Sequence, residues 1–138
     1  MYKVIESCKK DITHINWLAV DFDVVEQSVK ILQNRIVKAK LAGRTRMVKK
    51  LQSLLVKSLN ARILAVKRVS ENKGKKTDGV DGKLLDTSIK KCKCVDELKI
   101  KMPDSKSMPL KRIEIHKKND KLRPLDIPTM VTRSLQAL

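Results

Sequence analysis

From Arg44 to Arg68 the chain contains no Asp or Glu, yet its aliphatic residues recur at the three- and four-residue spacing of an amphipathic helix. Stepping about 100° per residue brings Arg46, Lys49, Lys50, Ser53, Lys57, Asn60, Lys67 and Arg68 into one arc. Val48, Leu51, Leu54, Leu55, Leu59, Val66 and Val69 gather opposite. The spacing predicts a single helix over about 45–69 with one core side and one basic stripe. A helix face made only for solubility mixes signs, because Glu to Lys pairs four apart also support the helix. Leaving out every acid points instead to phosphate contact.

The rest of the composition agrees. Thirty-two Lys and Arg against fifteen Asp and Glu leave a charge of +17 on 138 residues, far beyond what solubility needs, so the expected partner is a polyanion. The length suits one domain or a piece of a larger one. With 41% apolar residues the chain can bury a core. Trp17, Tyr2 and Phe22 are its only aromatics, so that core is built of Leu, Ile and Val. No apolar run is long enough for a membrane span or a signal-peptide core. The expected compartment is the cytoplasm, or an organellar matrix in a eukaryote. Cys8, Cys92 and Cys94 form no regular framework and read as free thiols of a reducing compartment. Combined with His14, they match the paired spacings of structural zinc sites poorly.

Other elements can be read locally. Asp23 followed by Glu26 reads as a capped helix start, and Val25, Val29, Leu32, Ile36 and Ala39 share one face up to the stop at Gly43. This predicts a helix over about 24–41. Three of the four glycines fall in "ENKGKKTDGVDG", residues 71–82. Gly74, Gly79 and Gly82 lack the spacing of a phosphate-binding P-loop, and Asp78 and Asp81 lack the further ligands of a calcium loop. Local rules give a tight, irregular connection. Leu84 to Ile89 and Val95 to Ile100 read as two short helical turns on either side of the cysteine pair. From Met108 the period changes: Ile113 and Ile115, then Leu122, Leu125 and Ile127, predict a β-hairpin turning at Asn119-Asp120. Pro124 and Pro128 place the returning strand at an edge. Lys111, Arg112, Lys117, Lys118, Lys121 and Arg123 make the hairpin cationic. Met130 to Leu138 reads as the opening of a helix.

The runs "LLVKSLNARILAVKRVSENKGKKTDGVDG" and "PLKRIEIHKKNDKLRPLDIPTMVTRSLQAL" resemble the N-terminal part of group II intron-encoded reverse transcriptases, or maturases. Thr77 to Gly82 is similar to the T-x-G-V-D-G signature of that family, the "ILQNRIVKAKLAG" helix to its N-terminal extension, and the hairpin to its first fingers motif. The resemblance implies a part of an RNA-directed DNA polymerase that also binds its own intron RNA and assists splicing. It implies that the glycine-rich loop lies over the template. It also implies that Lys117 and Arg123 reach the nucleotide triphosphate, where cations offset phosphate charge. Candidate RNA contacts are Arg46, Lys49, Lys50, Lys57, Lys67 and Arg68 on the helix, Lys75, Lys76, Thr77 and Gly79 in the loop, and Arg112 on the hairpin. His116, Asp120, Asp126 and Thr132 depart from the motif, and an acid at 126 stands three residues from Arg123.

Polymerisation in this family uses two metal ions held by palm aspartates, including a Tyr-x-Asp-Asp motif. The only tyrosine here is Tyr2 and no Asp-Asp pair occurs. The expectation is therefore an N-terminal fragment that binds intron and template RNA, with DNA as a further candidate ligand. It is not expected to polymerise alone, and Mg2+ is expected only with the palm. The alternatives are a stand-alone RNA-binding module and a structural fragment that needs a companion palm chain. The expected fold is mainly α with a small β-hairpin (α+β). Residues 1–70 form a helical extension, 71–107 a glycine-rich connector with irregular or helical turns, and 108–138 partial fingers with the start of the next helix.

Overall fold

The computed structural model describes residues 15–101, 106 and 108–138. Cys8, His14 and Tyr2 lie outside them. The fold is mostly helical with one two-stranded antiparallel hairpin, as the periodicities predict. A 3-10 turn at Trp17–Ala19 leads into α1 (Phe22–Leu41), α2 (Thr45–Lys57) and α3 (Leu59–Glu71). A second 3-10 turn, Lys73–Lys76, precedes α4 (Ser88–Lys101), then β1 (Lys111–His116), β2 (Leu122–Ile127) and α5 (Met130–Gln136). Among the described residues no helix is long and apolar enough to cross a membrane.

α1 begins two residues earlier than its sequence pattern predicts. Its cap is Asp21, not Asp23: the Asp21 carboxylate accepts the backbone N–H groups of Asp23 and Val24 at 3.1 and 3.3 Å. Phe22 is drawn into the helix by its contact with Trp17, ring centroids 5.6 Å apart. Glu26 does not return to the cap but reaches Lys67 of α3 at 3.4 Å. At the other end Gly43 adopts a φ of +68°, the left-handed stop that its position predicts.

The helix expected over 45–69 is two helices. Ser58 is extended, with a ψ of 135°, and its Oγ accepts the Ala61 N–H at 3.3 Å. A serine whose hydroxyl takes the backbone's place ends one helix and caps the next. The break changes what each half faces. α3 is buried without interruption from Ala61 to Val66 and touches α1, α2, α4 and α5. Asn60, predicted on the basic stripe, turns inward and donates to the Ser28 hydroxyl at 2.9 Å. Leu54, predicted in the core, is 52% exposed on α2.

The two short turns predicted around the cysteine pair are one helix, α4. Cys92, Cys94, Val95 and Leu98 face the core with Trp17, Val25, Val29, Ile63, Leu64 and Val66. Burying side chains such as Val95 and Leu98 completely contributes about 1.5–3 kcal/mol each. The core cluster thus joins residues on both sides of position 70.

The hairpin pairs Ile113 with Leu125 and Ile115 with Arg123. Its turn closes through Lys117 N–H to Lys121 O at 3.0 Å, with Asp120 at a φ of 52°, the left-handed residue expected of Asn119-Asp120. The glycine-rich loop holds this hairpin to the helices. Gly79 is buried, and a Cβ added there would stand 2.6 Å from Thr129 Cα and 2.9 Å from Thr129 N. Asp78 pairs with Lys111 at the foot of β1, and Arg133 of α5 donates to Gly74 O. Gly79→Ala is therefore expected to cost about 1–3 kcal/mol, the range for forcing extra atoms into a closed site. Gly74→Ala, with its nearest atom a side-chain nitrogen at 3.6 Å, is expected to be near neutral. Urea melts of the two variants check this; equal stabilities would contradict the role given to Gly79.

Candidate nucleic-acid interface

Each candidate cation has a different neighbourhood once the chain is folded. On α2, Arg46, Lys49, Lys50 and Lys57 are all exposed. None of the four has an ion-pair partner among the described residues. From Arg46 to Lys57 the helix rises about 16 Å at 1.5 Å per residue. The break at Ser58 leaves this stretch intact, because the four cations lie within one straight segment. The start of α2 has no acid in its first turn, and its cap, Arg44, makes no side-chain cap bond. Cations at a helix N-terminus oppose the helix dipole, and no acid among the first-turn residues of α2 offsets Arg44 and Arg46. Beside it lies an open cleft of about 410 Å3 lined by Gly43, Arg44, Thr45, Arg46, Met47 and Lys50.

Lys67 and Arg68, the remaining stripe residues, sit elsewhere. Lys67 is half-buried: it pairs with Glu26 and stands 4.5 Å from the centre of the Phe22 ring, an arrangement that ties α3 to α1. Arg68 is exposed near the end of α3, next to the Lys73–Lys76 turn. Lys75, Lys76 and Thr77 are exposed in or beside that turn. Gly79, two residues further, is buried, and the close backbone approach it permits is to Thr129.

On the hairpin, register decides which charges are free. Arg112 lies opposite Asp126 and holds it through two hydrogen bonds of 2.8 and 3.2 Å. The pair holds the Asp126 carboxyl below its ordinary range and the Arg112 guanidinium above its own. The acid that departs from the fingers motif thus engages Arg112 rather than Arg123. By the alternation of the pleat, Lys117, Lys121 and Arg123 share one face with Ile113, Ile115 and Leu125. Lys117 and Arg123 are exposed and carry no ion pair among the described residues.

Sequence reading missed the interior polar groups. Arg62 is 5% exposed and donates to Val95 O at 3.2 Å. Burial pulls its guanidinium below the usual range, and nearby Asp96 partly restores it. Asp96 is in turn pushed up by burial, with Arg62 and Lys99 opposing. Stepping around the helix would have placed Arg62 away from the basic arc, which is the signal that was available. Burial also pushes the Cys92 thiol up, the behaviour of a packed rather than a reactive cysteine. Among the described residues no group of three or more His, Cys, Asp or Glu is placed to hold a metal.

The family model for the N-terminal domain of reverse transcriptase matches residues 17–98, from the first 3-10 turn to the last core leucine of α4. The chain belongs to this family. No curated protein matches it. In this reverse transcriptase N-terminal domain the matched stretch contains the whole α2 face and the glycine-rich loop, while the hairpin and α5 follow it in the chain.

The loop's hold on the hairpin has a pH signature. The hydrogen bond from Lys111 holds the Asp78 carboxyl below its ordinary value. Because the folded value lies below the unfolded one, the pair's contribution is complete above about pH 4 and is lost as pH falls through the lowered value. An NMR titration is expected to show the Asp78 carboxyl and Lys111 signals moving together with a midpoint below about 3.9. A midpoint at or above that value would contradict the pairing.

Proposed function

We propose that this domain binds RNA through the phosphate backbone, with the α2 face as its main contact, and that it serves a group II intron reverse transcriptase or maturase in holding intron and template RNA. The observation that carries the reading is the acid-free, exposed and unpaired set Arg46, Lys49, Lys50 and Lys57 on one straight helix. Phosphate contacts of this kind position a nucleic acid without reading its sequence. Lys75, Lys76 and Thr77 extend the contact along the loop, and DNA backbones would meet the same cations. The intron-specific part of the reading is supported by the T-x-G-V-D-G run at 77–82 and the fingers-like hairpin. In it Lys117 and Arg123, on one face of the hairpin, take the triphosphate of an incoming nucleotide. Metal ions and bond-making belong to a palm, and the site of action is the cytoplasm or an organellar matrix.

A second reading is favoured by one observation. Ile113, Ile115 and Leu125 are 38%, 45% and 39% exposed on the same face of the hairpin, and a two-stranded sheet has little stability without something packed on its apolar face. A companion palm, in the same or another chain, would cover it.

RNA binding through four α2 cations predicts an observed affinity that falls with salt at a log-log slope of about −3 to −4 on the duplex rule. Replacing Lys49, Lys50 and Lys57 together by Gln is expected to flatten that slope by about 2 to 3 and to weaken structured and random RNA alike. Fluorescence anisotropy over a salt series measures both. A slope that is already flat in the unaltered protein, or one unchanged by the triple substitution, would overturn the reading.

A further inference from the structure

The ends of α3 and α5 meet the Lys73–Lys76 turn around a half-enclosed groove of about 360 Å3 lined by Arg68, Val69, Asn72, Gly74, Arg133 and Gln136. This is the small end of the range for ligand pockets, about 300–1,000 Å3, and it suits one planar heterocycle rather than a larger molecule. Val69 is an apolar, buried part of the lining. The polar lining is rich in unused donors. Arg133 commits Nε to Pro128 O at 3.1 Å and Nη1 to Gly74 O at 3.0 Å, which leaves Nη2. Asn72 commits its oxygen to the Lys73 N–H at 2.9 Å, which leaves the two amide hydrogens. Arg68 makes no hydrogen bond or ion pair among the described residues and is exposed, which leaves its whole fork.

The chemistry of the lining narrows the ligand. Val69 and Ala137 give the groove an apolar wall, which suits the face of a base rather than a bare phosphate. A neutral base with adjacent acceptors fits better. On the edge that bases present to the major groove, guanine offers O6 and N7 side by side, adenine a donor beside its acceptor, cytosine a donor and uracil a single acceptor. Gln136 adds an acceptor for the N–H groups that guanine carries on its pairing edge. Outside the groove Lys73, Lys75 and Lys76 are exposed on the adjoining turn, in reach of the phosphates that flank an inserted base.

We propose that this groove receives one unpaired guanine of a bound RNA, with Arg68 donating to O6 and N7 and the Asn72 amide donating to the second lone pair of O6. The proposal rests on the RNA-binding reading for the strand and adds base recognition, which the α2 face does not supply. Single-stranded RNA is the form that exposes a base in this way.

The experiment uses the whole 138-residue chain and two probes. Five-nucleotide strands of U carrying a central G, A, C or U are compared by anisotropy, and guanosine monophosphate is titrated while the side-chain amide signals of Asn72 and Gln136 are followed by NMR. The G strand is expected to bind about 5- to 100-fold more tightly than the other three, the span of one good bidentate base contact, and the nucleotide to move both amide signals. Arg68→Gln is expected to erase the preference, and so is Asn72→Asp, which keeps the acceptor for Lys73 and removes the donors. Equal affinity for the four strands with a steep salt slope would overturn the base site and leave the phosphate reading standing. Amide shifts with no strand binding would overturn the phosphate reading and leave the site. A preference that survives both substitutions would overturn the assignment to this groove.

Discussion

The burial of α3 through six consecutive residues, Ala61 to Val66, is the constraint on which the other elements depend. The enclosed stretch presents no charged face to a ligand, and the one cation inside it, Arg62, is committed to the Val95 carbonyl. Four helices must close around it, so α4 turns its cysteines and its Val95 and Leu98 inward to complete the enclosure. The extended backbone of Ser58 makes this division of labour workable. It separates the enclosed stretch of α3 from α2, whose cations remain in water.

The same economy explains the glycine-rich loop. A two-stranded hairpin has little stability of its own, and the strands here are exposed apart from Lys111 at one foot and Ile127 at the other. What fixes the hairpin's position is the base: Asp78 on Lys111, Gly79 against the backbone of Thr129, and Arg133 spanning from Pro128 O to Gly74 O. The loop is therefore a fastening between the helical unit and the strands. Its lysines project from a segment anchored at both ends, which holds their backbone in place.

Features set by neighbouring residues in the chain were legible in the sequence. The end of α1 at Gly43, the left-handed Asp120 and the short α5 follow from local backbone preferences, and tertiary packing leaves them unchanged. Ser58 was not legible, since a serine inside a helix and a serine capping one look alike until packing selects between them. α4 is hidden as long as Cys92 and Cys94 count as polar thiols; counted as small apolar residues, Cys92, Val95 and Leu98 recur every three positions. The candidate site divides in the same way. The α2 cations were read correctly as an exposed face because their helix is local, whereas the engagement of Lys67 by Glu26 and Phe22 and of Arg112 by Asp126 depends on partners that only folding and strand register bring together.

Lysine footprinting tests the central claim most directly: the protein is treated with an amine-reactive reagent with and without structured RNA, and modification is read residue by residue by mass spectrometry. The account predicts strong protection of Lys49, Lys50 and Lys57, with weaker protection of Lys75 and Lys76. Lys90 of α4, which is exposed and paired at 2.7 Å with Asp86 just before that helix, is predicted to react equally in both samples. Uniform protection of all lysines, or protection that spares α2, would contradict the account.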